Sequence, residues 1–144
     1  YTSVFRVHWH CDYTLISNFM VLGNVMGERR NNYDSILKSV LGLDPEEAQL
    51  YLLIVYSGKM TVSKIAQACD WTNEKAKLHS NMLMEKGMFI EIGEDIFESL
   101  HPRFALSNGY RKKCIELGMK YGRNDQVDSL ATYLERHYEL ARTK

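Results

Sequence analysis

This chain has no excess of charge of either sign. Its 18 lysines and arginines are matched by 18 aspartates and glutamates, giving a formal net charge of +0 and a sequence pI near 7.1. That balance excludes a global positive field of the kind that draws a protein onto nucleic acid whatever its base sequence, so any DNA binding must come from a local patch. Cysteine is sparse too. Cys11, Cys69 and Cys114 are odd in number and share no CxxC spacing, which points to reduced thiols in the cytoplasm and away from a disulfide framework. No uninterrupted apolar run is long enough to span a membrane, and the first residues lack the basic start and small-residue cleavage site of a signal peptide. Also missing are a phosphate loop, an HExxH motif and any nucleophile set beside a base and an orienting group, so no enzyme and no cofactor is expected. What remains is 144 residues, 45% hydrophobic and 25% charged, the make-up of one globular domain with a single modest core.

The residues that are present organise themselves around positions 61–87. This stretch predicts a short helix, a tight turn at Asp70, and a second helix that begins after Thr72 and stops at Lys86 and Gly87, the outline of a helix-turn-helix. Thr61 and Thr72 each place a side-chain oxygen where a helix start has unpaired backbone N–H groups, so both are expected N-caps. Asp70 is one of the few non-glycine residues that tolerate the positive φ such a bend requires. Trp71, just beyond it, is expected to wedge the two helices together in preference to stacking on bases. Cys69 is expected to be a small buried hydrophobe in preference to an oxidation sensor.

Residues 1–30 form an N-terminal extension whose structure the sequence does not define. Val4, Arg6 and His8 alternate with Phe5, Val7 and Trp9 before the apolar runs at 15–16 and 19–22, a pattern that fits a short strand and a helix. His8, His10 and Cys11 are metal-ligand types. Strand alternation sets Cys11 opposite the two histidines and nothing nearby completes a tetrahedral set, so no metal is assigned. Tyr1 is not an ordinary initiator, and Met26, ahead of the polar run Gly27-Glu28-Arg29-Arg30, is an alternative start. N-terminal sequencing of the natively expressed protein tests this, and a peptide from upstream of Met26 ends it.

The domain proper is expected over 31–100. Tyr33, Ile36, Leu37, Val40 and Leu41 recur at helical steps up to Gly42. Asp44-Pro45-Glu46-Glu47 is then a complete helix start, with Asp as N-cap, Pro where no N–H is needed and Glu47 at the reciprocating position of a capping box. Ala48 and the run 50–55 are apolar nearly all round, which predicts a central helix buried on several sides and ended by Ser57-Gly58. Residues 88–92 and 96–100 are β-prone and separated by Gly93-Glu94-Asp95, the arrangement of a hairpin. The remainder, 101–144, is a C-terminal helical extension, with helices over 104–118, despite Gly109, and 125–142. The last helix carries an apolar stripe of Val127, Leu130, Ala131, Leu134, Tyr138 and Ala141 that must be covered, on the same chain or as a dimer contact. The fold class expected is mainly α with a small β-hairpin wing, a winged helix-turn-helix plus C-terminal helices.

The run LGLDPEEAQLYLLIVYSGKMTVSKIAQACDWTNEKAKLHSNMLMEKGMFIEI carries Leu41-Gly42-Leu43, Glu47-Ala48, Tyr51, Gly58, Thr61, Ile65-Ala66 and Glu85-Lys86-Gly87 at a joint spacing. It resembles, without a gap, the winged-helix domain of the TrmB-like archaeal transcription regulators. The resemblance covers about a third to a half of the chain and implies promoter DNA as the ligand. The residues from Leu100 to Lys144 look like the short C-terminal extension of single-domain members. Without the larger sugar-binding domain of longer members, no small-molecule effector is implied. The family pattern turns Ala76, His79, Ser80 and Leu83 of the second helix inward, with His79 and Ser80 standing where larger aliphatic residues are the rule. For a buried His79, a neutral ring bonded to a backbone carbonyl or to Ser80 is favoured over a pH sensor.

The outward positions of that helix are Asn73, Glu74, Lys77, Leu78 and Asn81, and none is arginine. Asn73 and Asn81 suit adenine, Lys77 suits guanine or phosphate, and Leu78 suits a thymine methyl. With Thr61, Ser63, Lys64, Thr72 and Lys75 around the helix starts, these are the expected DNA-binding residues. Val127, Leu130, Leu134, Tyr138 and Ala141 are the expected dimerisation residues. Local charge is thin, with Lys59, Lys64, Lys75, Lys77 and Lys86 against Asp70, Glu74 and Glu85. Glu91, Glu94 and Asp95 at the wing tip repel phosphate, and Arg103, Arg111, Lys112 and Lys113 are candidate compensation. Neutralising three or four phosphates gives a salt slope of roughly −3 to −4, modest enough that a homodimer joining two half-sites is expected. The expected function is a cytoplasmic, sequence-specific regulator of transcription that binds double-stranded DNA. The alternative is a winged-helix module that binds other proteins and no DNA, supported by the neutral charge, the acidic wing and apolar Leu78 and Met82.

Overall fold

The structure, a computed structural model, describes residues 27–143. The strand, helix and metal-ligand expectations for residues 1–25, and the start at Met26, lie outside them. Among the described residues the chain is mainly helical, with a small three-stranded antiparallel sheet. In chain order the elements are α1 (Gly27–Ser39), α2 (Pro45–Ser57), β1 (Met60–Thr61), α3 (Val62–Cys69), α4 (Asn73–Glu85), β2 (Phe89–Gly93), β3 (Ile96–Ser99), α5 (Pro102–Leu117) and α6 (Asp125–Arg142). Because α1 is already helical at Gly27, it crosses the boundary expected at residue 30.

The middle of the molecule is α2, and its start is fixed by local chemistry. The Glu47 N–H donates to Asp44 Oδ1 at 2.7 Å and the Asp44 N–H donates back to Glu47 Oε1 at 3.0 Å, so the capping box is complete in both directions. From there Leu50 to Val55 are all buried, which is why the sequence shows no polar face. Around them one hydrophobic cluster gathers Leu37 of α1, Ile65 of α3, Leu83 of α4, Phe89 and Phe97 of the sheet, Leu106 of α5 and Leu130 of α6. Each such side chain contributes roughly 1.5–3 kcal/mol by leaving water.

Two findings alter the expected picture. First, β1 pairs with β3, so the expected hairpin is part of a sheet ordered β1-β3-β2, with Met60 opposite Phe97 and Thr61 opposite Ile96. A bulge between Glu91 and Gly93 shifts the register of β2 on β3, and Asp95, at φ 57, closes the turn. Second, the stripe on α6 is used inside the chain. Val127, Leu130 and Leu134 are buried in the common core and Tyr138 is half-buried against it, so these expected dimerisation residues do not offer a free surface. Ala141 is also partly covered. The reason is visible at the helix end, where Arg142 Nη1 donates to Val55 O at 2.9 Å and Nη2 to Ile54 O at 3.2 Å while pairing with Glu98. A cation thus sits on the carbonyl end of α2, where the helix dipole is negative, and holds α6 down along it.

Smaller adjustments have equally local causes. α5 begins at Pro102, two positions before the expected Phe104, because the His101 ring accepts the Arg103 N–H and serves as N-cap. Gly109 sits inside α5 where a Cβ would lie 3.0 Å from Met88 Sδ and 3.1 Å from Leu41, a close approach that the missing side chain allows. Gly87 ends α4 at φ +77, and the Asn108 amide donates to its carbonyl at 2.8 Å. No described helix is long and apolar enough to cross a membrane.

Candidate functional site

The caps expected of the sequence set α3 and α4. The Lys64 N–H donates to Thr61 Oγ1 at 3.2 Å and the Lys75 N–H to Thr72 Oγ1 at 3.1 Å. Between the helices Asp70 adopts φ 58, ψ 46 and its N–H donates to Ala66 O, closing α3 in the left-handed conformation that Asp tolerates. Trp71 packs against the core with its ring 5.0 Å from the His79 ring, in keeping with the packing role expected of it. Cys69 is buried, and that burial pushes its thiol up to about 12, which leaves it inert at neutral pH.

α4 divides cleanly along its length. Ala76, His79, Ser80 and Leu83 are its four buried residues, the inward set that was expected. His79 Nδ1 lies 3.0 Å from the Lys75 carbonyl, the backbone partner expected for a buried ring. On the other side an open groove of about 660 Å³ runs between α4, the start of α3 and the β2-β3 turn. Its walls are Thr61, Val62 and Ser63 from α3 and its cap, Asn73, Glu74, Lys77, Leu78 and Asn81 from α4, and Glu94 and Asp95 from the turn. Seven of the residues expected to bind DNA are therefore brought to one surface: Thr61, Ser63, Asn73, Glu74, Lys77, Leu78 and Asn81. Leu78 is 56% exposed there.

Lys64, Thr72 and Lys75 are not in that lining. Thr72 is occupied as a cap, and the Lys75 ammonium pairs with Glu46 and lies 5.1 Å over the Trp71 ring, on the opposite side of α4. Met82 is half-buried, so the exposed apolar pair expected on α4 reduces to Leu78. Of the cations named as compensation, Arg103 bonds Glu135 through both Nε and Nη2 at 3.2 Å, and Arg111 lies 4.9 Å from the Tyr121 ring.

The electrostatics of the groove follow from the turn. Val62 N–H donates to Asp95 O at 2.9 Å, which holds the turn beside the start of α3 and brings its carboxylates over α4. Lys77 pairs there with Asp95, and with Glu91 at 3.5 Å. The Asp95 carboxylate beside it holds the Lys77 ammonium above the ordinary lysine range. The groove wall thus presents Glu74, Glu94 and Asp95 against one lysine, itself engaged. Against this, the starts of both α3 and α4 open onto the groove and contribute the partial positive charge of a helix N-terminus.

Sequence reasoning missed the pair that links the two ends of the quoted run. Lys86 donates to Glu47 Oε1 at 2.8 Å, with Glu47 1% exposed, so the EKG and EEA segments meet in the interior and fasten α4 to α2. The clue was that both sit on helix ends otherwise read only for capping. No family model, curated protein or solved structure matches the chain.

Proposed function

We propose that the protein is a sequence-specific DNA-binding regulator of transcription, of the winged helix-turn-helix type and akin to the single-domain TrmB-like regulators, in which α4 enters the major groove. The observation that carries this reading is the division of α4. Its inward face is buried, while Asn73, Glu74 and Leu78 stand exposed and Lys77 and Asn81 half-exposed between a helix start and a hairpin. A helix about 10–12 Å across fits a major groove about 12 Å wide. In that pose Asn73 and Asn81 face adenine edges, Leu78 a thymine methyl, and the N-terminal ends of α3 and α4 lie beside phosphates. Lys77 must exchange Asp95 and Glu91 for the DNA. A homodimer belongs to the proposal, because few phosphates are neutralised per chain and two half-sites multiply a weak contact.

The test is selection of bound duplexes from a random pool, followed by a salt titration of the enriched site with the full chain. A palindromic consensus whose binding weakens with a log-log slope of roughly −3 to −4 per half-site supports the reading. The absence of any enriched, salt-sensitive site rejects it. One observation favours a second reading, a protein-binding module: the groove is acidic, its lysine is engaged, and Leu78 is exposed at its centre. Under that reading the same selection enriches nothing, and Leu78→Asp abolishes association with a basic, apolar partner segment.

A further inference from the structure

On the side of α4 away from the groove, the first turn of α2 approaches His79. The carbonyl of Lys75 can only accept, so His79 Nδ1, 3.0 Å from it, carries the ring proton and the neutral ring presents Nε2 as a bare lone pair. That lone pair faces Glu46 Oε1 at 3.4 Å, and the His79 side chain is 9% exposed. Glu46 is 43% exposed, so the two acceptors meet at the rim of the interior, where a cation between them or a proton on one of them relieves their repulsion. For His79 that proton would have to be a second one on a ring whose Nδ1 already carries the first, and across 3.4 Å it would make a bond longer than the usual charge-assisted length of about 2.7–2.9 Å. An ion fits well: two donors each about 2.0–2.1 Å from a tetrahedral metal lie about 3.3 Å apart. Asp44 offers a third donor, with ligand atoms of Asp44, Glu46 and His79 all within 4.8 Å of one another. Lys75 balances only one of the two carboxylates, through the other oxygen of Glu46.

The geometry points to a binding site for a divalent transition-metal ion of borderline softness, such as zinc, held by His79 Nε2, Glu46 Oε1 and an Asp44 carboxylate oxygen. Such a site has the usual outer support of an imidazole ligand, an Nδ1–H bonded to a backbone carbonyl. One imidazole with two carboxylates suits zinc and its neighbours better than calcium or magnesium. A second histidine and carboxylate cluster among the described residues, His101 with Glu135 and Glu139, makes the contrast. There Nδ1 accepts the Arg103 N–H at 3.2 Å, so Nε2 carries the proton and faces Glu135 Oε2 at 3.3 Å as a donor, and no cation is needed. An ion on His79 would fasten the first turn of α2 to α4, independently of whether α4 binds DNA.

The experiment titrates the full chain with Zn2+ by calorimetry and with Co2+ by visible absorption, and follows the histidine ring nitrogens by NMR. The expected result is one ion per chain, with tetrahedral cobalt bands and a zinc-induced shift at Nε2 of His79. Glu46→Gln, on the exposed side of the site, and Asp44→Asn, which keeps an N-cap oxygen, each weaken binding at least tenfold. Replacing His8, His10 and Cys11 together leaves it unchanged. The proposal is overturned by failure of the wild-type chain to saturate with either ion, by unaltered binding in Glu46→Gln and His79→Gln, or by loss of binding when His8, His10 and Cys11 are replaced.

Discussion

Two helices of similar length, α2 and α4, do opposite work. α2 buries eight of its residues and is packed on nearly every side beyond its first turn, whereas α4 buries four and keeps the other side open along the groove. A helix surrounded by its own chain has every substitution judged by packing. A helix held by one narrow face has the rest of its sequence released from that duty, so polar and mixed residues there are free to serve recognition. The mutation pair Leu53→Ala and Leu78→Ala separates the two. Leu53 is fully buried, and its truncation is expected to cost about 2–5 kcal/mol of unfolding free energy. Leu78 is 56% exposed, and its truncation is expected to stay within about 0.5 kcal/mol while weakening the selected DNA site. Urea unfolding of both variants beside the wild type checks this, and a large loss at Leu78 would collapse the comparison.

The second contrast lies at the end of α2, where Arg142 reaches across from α6 to Val55 O, Ile54 O and Glu98. Arg142→Met keeps much of the stem and removes the charge, leaving Glu98 without its cation, Val55 O without the Arg142 donor and Ile54 O with the Gly58 N–H alone. An expected loss of about 2–4 kcal/mol, read from the urea midpoint, places this clasp second only to the core. A loss near zero would mean that the apolar stripe of α6 holds the helix by itself.

Much of this frame was legible beforehand, and the illegible part has a common cause. The capping box at Asp44, the caps Thr61 and Thr72 and the bend at Asp70 all depend on residues a few positions apart, so sequence spacing displays them. The inward set on α4 followed instead from the pattern of the family that the chain resembles. Lys77 with Asp95, Lys86 with Glu47, Arg142 with Glu98, and the cluster of Asp44, Glu46 and His79 join different elements, and no local spacing encodes them. β1 was missed because two residues are too few to show alternation. The use of the α6 stripe was open for the same reason: an amphipathic pattern states that a face is covered and never by what.

On the α4 side, the sharpest probe is Asp95→Asn. It removes a carboxylate from the groove wall and releases Lys77, which is otherwise drawn to Asp95 and Glu91. Exposed pairs of this kind are weak and screened by salt, so DNA affinity is expected to rise about two- to fivefold at low salt, with unfolding free energy nearly unchanged. Fluorescence anisotropy on the selected duplex measures it. A fall in affinity would mean that Asp95 contacts a base or shapes the turn, and no rise under any salt condition favours the protein-binding reading.

The smallest expected effect lies back on the α2 side, at His137 of α6. Its ring lies 5.1 Å from Tyr56, in the last turn of α2, and 5.0 Å from Tyr133. Burial first, and then the neighbouring Arg136, hold this imidazole below the ordinary histidine range. The fold therefore favours the neutral ring, and as pH falls through the ordinary histidine value, the unfolded chain takes up a proton that the folded chain resists. Stability associated with His137 is thus fully present above about pH 7, where both states are neutral, and declines on acidification until the folded pKa is passed. Glu135 runs in the same direction but later: its Arg103 hydrogen bonds hold the carboxyl below the ordinary range, so its contribution is lost only near and below pH 4. Comparing urea midpoints at about pH 7.5 and 5.5 in wild type and His137→Gln isolates the histidine, since the other groups titrate alike in both chains. The wild type should lose more stability between the two conditions than the variant, by less than about 1 kcal/mol because solvent reaches the ring. Equal losses would show that α6 leans on α2 through apolar contact alone, with the ring's charge indifferent to the seat it occupies.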